Sequence, residues 1–431
     1  MHKKTIMRAI GLTVAATLTV GITACSSGGD ESTTFKIWHY EDPTSAMGIA
    51  WNQAIEVFEE EHPDVTVEFQ SKAFDQIQQS AGMILNSDAV PDVMEYNKGN
   101  ATAGLLASQG LLTDLSDAAE ERGWDDMLPT SIQTTAKYDE QGVMGSGGWY
   151  GVPTYGAFAT MFYNKDMFAD LGLSVPTTLD ELEDVMDAFV ADGTTPLATG
   201  GADYPAGQLF YELALQKADR QFVNDYQLYE NPVDFHGEEL QFGADTFDEW
   251  VKKGYISGDA ASLSAEDMGT AWEAGTYPMM FTVSAWYGRV TNEVTDFDWG
   301  IFNFPGNSLS AGSSGNLWVI PTNAANKDLA EDFIDITLRP EQQELMGNSG
   351  GLPVIEGVEI SDERSKELND AFAEYLESDG LAFYPDWPVP GYFEDLVAAF
   401  QSLINQSKSP DAVLDELAAS YEDGVATVTG N

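Results

Sequence analysis

Apolar positions along the chain follow two alternating rhythms. The run 35–39 (FKIWH) leaves a small polar stretch as a strand. Residues 47–62 (MGIAWNQAIEVFEEEH) then place Ile49, Trp51, Ile55 and Phe58 at the spacing of one helix face, and Pro63 stops the helix. Residues 65–69 alternate as a second strand, 75–85 read as a second helix and 92–96 as a third strand. This βαβαβ order predicts a doubly wound α/β domain with right-handed crossovers. In such sheets ligands sit beyond the carboxyl ends of the strands. Those ends are His39-Tyr40-Glu41-Asp42 and Tyr96-Asn97-Lys98.

A glycine-rich passage at 145–151 (GSGGWYG) interrupts the rhythm, which restarts with a strand at 160–163 and helices at 165–171 and 179–191. A second Gly/Ser-rich passage, 308–315, precedes a strand at 317–320, and helices follow at 330–346, 362–376, 392–406 and 410–421. We therefore expect two lobes, one of residues 35–150 and 310–355, the other of 151–309 and 356–431. The first crossover is expected near residues 149–155, and the Gly/Ser-rich passages near 145–151 and 308–315 are where the backbone would absorb any rotation between the lobes. No internal repeat is present.

The amino terminus changes the picture of where the protein works. His2, Lys3, Lys4 and Arg8 head an uncharged apolar run, residues 10–24. That run is shorter than the roughly 20 residues a bilayer span needs, and its order is that of a secretory signal. It ends in Ile22-Thr23-Ala24-Cys25, which matches a bacterial lipobox. Residues 1–24 are read as a signal peptide, Cys25 as a lipid attachment point and residues 25–34 as a flexible tether. Cys25 is the only cysteine, so no disulfide forms within the chain. The expected location is the outer face of a bacterial cell membrane.

Charge removes whole classes of function. Nineteen basic side chains face 71 acidic ones, a net charge of −52 that deepens once Lys3, Lys4 and Arg8 leave with the leader. Nucleic acids and anionic substrates are repelled by such a field. No G-x-x-x-x-G-K-[ST] loop is present, which excludes a P-loop ATPase.

Three ordered series carry a family resemblance. The first is Trp149-Tyr150-Gly151-Val152-Pro153, Phe162-Tyr163-Asn164-Lys165-Asp166-Met167-Phe168, Gly172-Leu173, Pro176-Thr177-Thr178 and Asp180-Glu181-Leu182. The second is Ala271-Trp272-Glu273-Ala274-Gly275 with Met279-Met280 and Ala285-Trp286. The third runs from Trp318-Val319-Ile320-Pro321 through Ala330, Phe333-Ile334 and Gln342-Gln343 to Gly350-Gly351-Leu352-Pro353. With the lipobox, the chain resembles the family 1 extracellular solute-binding proteins, the sugar receptors of ABC importers. Thr178 and Trp272 depart from it, standing where Trp and Phe are usual. The resemblance implies a type II periplasmic-binding-protein fold, two α/β lobes joined by hinge strands and closing over a ligand. It implies no catalysis, no cofactor and no metal, a monomer, and a membrane permease as partner. It also implies an oligosaccharide ligand, for which we expect an α-linked di- to tetrasaccharide.

A sugar packs its C–H faces on aromatic rings and gives its hydroxyls to fixed donors and acceptors. On that basis the candidate ligand residues are His39, Asp42, Asn97 and Lys98 at strand ends, and Tyr155 after the first crossover. Trp286 is the candidate stacking platform, Ser314 and Asn316 follow the second crossover, and Asp386-Trp387 lie in the loop Tyr384-Pro385-Asp386-Trp387-Pro388. Each has a plainer reading, as a loop cap, a surface charge or core packing. The main rival is a receptor for a polyamine or another cationic molecule, since aromatic boxes with carboxylates also suit ammonium groups. A glycoside hydrolase would need two carboxylates at a set separation, a pattern that 71 acids supply without specificity. A zinc or manganese receptor would want clustered histidines, whereas His39, His62 and His236 are scattered.

Overall fold

The first helix begins where Ser45 Oγ accepts the Gly48 N–H at 3.0 Å, satisfying a donor that the opening turn leaves free. It runs Ala46–Glu61 and ends at His62, just before Pro63. The computed structural model describes residues 33–87 and 90–430. The expected signal peptide, Cys25 and all of the expected tether except Thr33 and Thr34 lie outside them. None of the helices described is long and apolar enough to cross a membrane.

The principal strands are β1 (Thr33–His39), β2 (Val65–Ser71), β3 (Val93–Tyr96), β4 (Val152–Pro153), β5 (Gly156–Asn164), β6 (Leu197–Ala198), β7 (Met279–Val283), β8 (Trp299–Phe302), β9 (Gly312–Ser314) and β10 (Leu317–Val319). The first sheet has the order β2-β1-β3-β10-β4. Phe35 pairs with Val67 and Ile37 with Val93 in parallel register, whereas Leu317 pairs antiparallel with both Tyr96 and Pro153. The second sheet has the order β8-β5-β7-β6, with β9 also on β5. Met161 lies opposite Phe281 and Ile301 opposite Phe162, both antiparallel.

Each sheet is covered by helices that complete its core. Over the first, Trp51 and Phe58 of the first helix meet Phe35, Trp318 and Phe333, with Phe35 and Phe58 stacked at 4.8 Å. Around the second, the helices Tyr204–Leu215, Glu238–Lys253, Tyr392–Ile404 and Pro410–Thr429 pack on one another, and Phe210 lies 4.7 Å from Phe400.

The chain changes sheet between Pro153 and Gly156 and returns between Ser314 and Leu317. The first overlaps the end of the crossover expected near 149–155, and the second starts at the end of the Gly/Ser-rich passage 308–315. They run side by side, since Ser314 pairs with Gly156 and the Gly315 N–H donates to the Tyr155 carbonyl at 2.6 Å.

Other expectations need correction. The glycine-rich segment 145–151 does not itself carry the chain between sheets. It closes a hairpin in which Gly148–Trp149 pairs with Lys137–Tyr138, and a Cβ on Gly147 would fall 2.2 Å from the Tyr138 carbonyl oxygen. The helix expected over 330–346 is two helices, Lys327–Thr337 and Pro340–Asn348, because Pro340 cannot continue the first and opens the second. The strand expected at 160–163 is the longer β5, and β1 begins at Thr33.

Candidate functional site

A cavity of about 1010 Å³ opens between the two sheets. The ends of β1 and β3, the two passages between sheets, the start of the helix Tyr204–Leu215 and the loop 384–388 all contribute to its lining. Of the candidates named from sequence, Asp42, Asn97, Lys98, Tyr155, Trp286, Asn316, Asp386 and Trp387 line it; His39 and Ser314 do not.

His39 and Ser314 fail for the same geometric reason. Side chains alternate across a strand, so the last strand residue and the first loop residue face opposite ways. His39 ends β1 facing away from the cavity, 2% exposed, with its ring stacked 4.4 Å from Phe69. Burial lowers its pKa to about 4. Ser314 ends β9 fully buried, its Oγ 2.7 Å from the Thr135 hydroxyl.

A chain of hydrogen bonds crosses the cavity floor. Lys98 Nζ donates to Asn316 Oδ1 at 3.0 Å, and Asn316 Nδ2 donates to the Tyr155 hydroxyl at 2.9 Å. That hydroxyl lies 3.3 Å from Oε1 of both Glu41 and Glu95. Burial lowers the Lys98 pKa to about 8, against the opposing pull of Asp386, Glu95 and Glu41. Burial raises Asp386 to about 6, with Lys98 pulling it back down. The Lys98 ammonium also sits 5.0 Å above the Trp387 ring and 5.5 Å above that of Tyr384.

The irregular loop that carries Asp386 and Trp387 is fixed by side chains of the second lobe. Tyr226 donates its hydroxyl proton to the Pro385 carbonyl at 2.9 Å, and Gln227 Nε2 donates to that of Tyr384 at 2.8 Å. From the other side, the Ala101 N–H reaches the Trp387 carbonyl at 3.0 Å. Gly99, at φ 104°, lets the backbone pass so close that a Cβ there would lie 2.7 Å from Trp387 Cβ.

Trp286 lines the cavity but is not an open platform. It is 7% exposed, its Nε1 donates to the Tyr204 hydroxyl at 3.0 Å, and the Arg289 guanidinium stands 4.6 Å over its ring. Arg289 is itself held by Glu266, Glu273 and Glu293. The more accessible rings on the lining are Tyr40, Tyr204 and Phe393, which sequence reasoning did not select. Glu41, one residue beyond Tyr40, and Gln208 also line the cavity and carry no motif that marks them in the sequence. The Gln208 side chain is 6% exposed, and its Oε1 has no hydrogen-bond partner among the described residues. Asp42 is exposed and serves the turn before the first helix, accepting from the Thr44 N–H at 2.8 Å and its hydroxyl at 2.6 Å. Among the described residues no group of three His, Cys, Asp or Glu is arranged to hold a metal ion.

Comparison with known proteins fits this geometry. A "Probable sugar-binding periplasmic protein" of Brucella suis is 34% identical over 110 residues, 25% of this chain and 24% of that relative, so the match spans about a quarter of the relative's length. A "Maltooligosaccharide ABC transporter solute-binding lipoprotein" of Streptococcus pneumoniae is 24% identical over 283 residues, 60% of this chain and 58% of the relative. Among solved structures, a "Chitin oligosaccharide binding protein" superposes with a TM-score of 0.78 at 20% identity, covering 92% of this chain and 99% of that one. The fold is therefore the two-lobed type II periplasmic-binding-protein fold. The model of the bacterial extracellular solute-binding proteins, binders and not enzymes, matches residues 42–344, and this chain belongs to that family.

Proposed function

We propose that the protein binds an uncharged oligosaccharide in the cavity between its lobes and hands it to the permease of an ABC importer. The observation that carries this reading is the composition of the lining. Accessible rings of Tyr40, Tyr204 and Phe393 stand beside a hydrogen-bonded floor of Lys98, Asn316, Tyr155 and Glu41. Rings offer flat apolar faces to sugar C–H groups, and the floor offers donors and acceptors in fixed places. Gln208 Oε1, buried and without a partner among the described residues, is an acceptor suited to a ligand hydroxyl. The volume of about 1010 Å³ lies at the upper end of ordinary ligand pockets (~300–1000 Å³) and suits several rings better than one. An α-linked di- to tetrasaccharide fits that room. The sugar and oligosaccharide ligands in the names of the relatives support the same class.

Delivery rests on lipid anchoring through Cys25 and on closure of the lobes about the paired passages at Tyr155–Gly156 and Ser314–Gly315. Ligand held by one lobe makes contacts with the other favourable and raises the closed population. The working form is a monomer.

A thermal-shift panel of maltotriose, raffinose and other di- to tetrasaccharides, with spermidine alongside, tests the reading. A bound saccharide at a hundredfold excess over its Kd stabilises the fold by about 2.7 kcal/mol. Stabilisation by spermidine and by no saccharide would establish the cationic-ligand alternative instead.

A further inference from the structure

Glu95 is the one acid that β3 buries directly behind the cavity floor. Its side chain is 1% exposed and does not line the cavity, whereas Glu41, in contact with it, does. A carboxylate in that position needs donors, and they can be counted. The Tyr155 hydroxyl owns one proton and already accepts from Asn316 Nδ2. It stands equally far, 3.3 Å, from Oε1 of each glutamate, and one proton serves only one of them. The Ser45 hydroxyl, at 3.3 Å, goes to Glu41 Oε2. No donor group of the described residues reaches Glu95 Oε2. Of the three Lys98 ammonium protons one goes to Asn316, and among the described residues neither glutamate lies within ion-pair distance of a basic group.

Two ionised carboxylates touching each other with so few donors would leave a buried charge uncompensated. One additional proton resolves the shortage. It belongs on Glu95, because Glu41 lines the cavity and can be solvated there, while Glu95 is buried beside Tyr40 and Tyr155 on a strand paired with Trp318. Burial raises the pKa of both glutamates, that of Glu95 well above the ordinary carboxylate value with the neighbouring Glu41 charge adding to it, and the hydrogen bond between the two favours the proton on Glu95 and the charge on Glu41.

We propose that Glu95 is a protonated carboxylic acid at neutral pH and a positioning residue, donating to the Glu41 carboxylate so that Glu41 and Tyr155 are held toward the cavity to receive an uncharged polyhydroxylated ligand. Ionised, Glu95 would give the floor three carboxylates, with Glu41 and Asp386, against the one ammonium of Lys98. Protonated, it leaves two and a fixed pair of acceptors for ligand hydroxyls. A cationic ligand would instead draw the proton off. This inference rests on the cavity being the ligand site, but the state of Glu95 can be read with no ligand present.

The experiment uses the unliganded full chain. The infrared difference spectrum of wild type minus Glu95→Gln at pH 7 should contain the C=O band of a protonated carboxylic acid; Glu212 and Asp386, common to both proteins, cancel. The folded-state pKa of Glu95 is raised, so its contribution to stability is full below the unfolded pKa and is lost as pH rises through the folded one. The wild-type melting temperature should therefore fall over that window more steeply than that of Glu95→Gln, whose amide keeps the donor and cannot ionise. Glu95→Gln should bind maltotriose or raffinose within about threefold of wild type and Glu95→Ala at least tenfold more weakly. Absence of the band, or equal pH slopes in the two proteins, overturns the protonated state. Equal affinity of Glu95→Ala and wild type overturns the positioning role. If no saccharide binds wild type, the sugar reading fails, while the band and the slopes still decide the state of Glu95.

Discussion

Gly315 lies flat against the ring of Tyr155, so close that a Cβ on the glycine would fall 2.0 Å from the tyrosine Cε2. The ring that organises the cavity floor is therefore placed by the backbone of the opposite passage. Gly315→Ala must displace either the ring or the strand pair, with an expected loss of about 1–3 kcal/mol from overpacking. Denaturant unfolding checks the stability. Saccharide titration of the folded variant should show weakened binding, because the Tyr155 hydroxyl leaves Glu41 and Asn316. Unchanged stability and affinity would mean that the passages are not rigidly paired.

The cavity aromatics separate into a structural wall and accessible faces. Trp286→Ala should destabilise the fold by about 3–5 kcal/mol through the cavity it leaves, so weaker binding by that variant does not identify a stacking ring. Phe393→Ala removes a partly exposed ring from the lining and should cost little stability but about 1–2 kcal/mol of saccharide affinity through lost apolar burial. Calorimetric titration next to a melting curve distinguishes the two.

Gln208 isolates a single polar contact. Replacing it with Leu removes an acceptor that has no partner among the described residues, so the free protein should be as stable as wild type or slightly more so. Ligand affinity should drop about tenfold, the worth of one hydrogen bond to a buried acceptor. Affinity equal to wild type would place the ligand elsewhere in the cavity.

Glu212 makes stability depend on pH away from the cavity. It is fully buried, and accepts from the Ser310 hydroxyl at 2.8 Å, the Ala311 N–H at 2.7 Å and Asn307 Nδ2 at 2.7 Å. Burial outweighs these bonds and raises its pKa to about 7. Its contribution is full below the unfolded pKa of about 4.3 and is lost as pH rises through 7. Glu212→Gln should flatten that part of the melting-temperature profile.

His39 gives the opposite sign. Its folded pKa of about 4 lies below the unfolded value of 6.5, so its contribution is present above pH 6.5 and is lost as pH falls through 4. By NMR its ring should stay neutral at pH 5, where His236, raised by its bonds to Asp415 and Gln241, is protonated. Titration of His39 near 6.5 would put its ring in solvent.

The first lobe was readable because its amphipathic helix and alternating strands are punctuated by Pro63 and by polar turns. The region around 204–215 was not. Every residue of that helix from Pro205 to Leu215 is buried, so no polar stripe marks its period. Strand ends and crossovers led to the lining of the cavity between the sheets, where Lys98, Tyr155 and Asn316 come together as a bonded chain. His39 and Ser314 were misplaced by a single step of strand alternation. Glu95 was passed over because a glutamate inside a strand looks like a surface charge until its neighbours are known. Trp286 was recognisable as a cavity residue, but the guanidinium covering its ring depends on Arg289, which only the folded helix brings alongside.

The hydrogen-bonded pairing of the two passages would leave the lobes a swing about one common line and resist sliding of one past the other. Guests of different length would then be met by different angles of opening rather than by rearranged walls. A trisaccharide and a tetrasaccharide would leave the same residues in contact near the pivot and differ only at the rim. Selectivity would be strict for the unit beside Tyr155 and graded for every unit farther out.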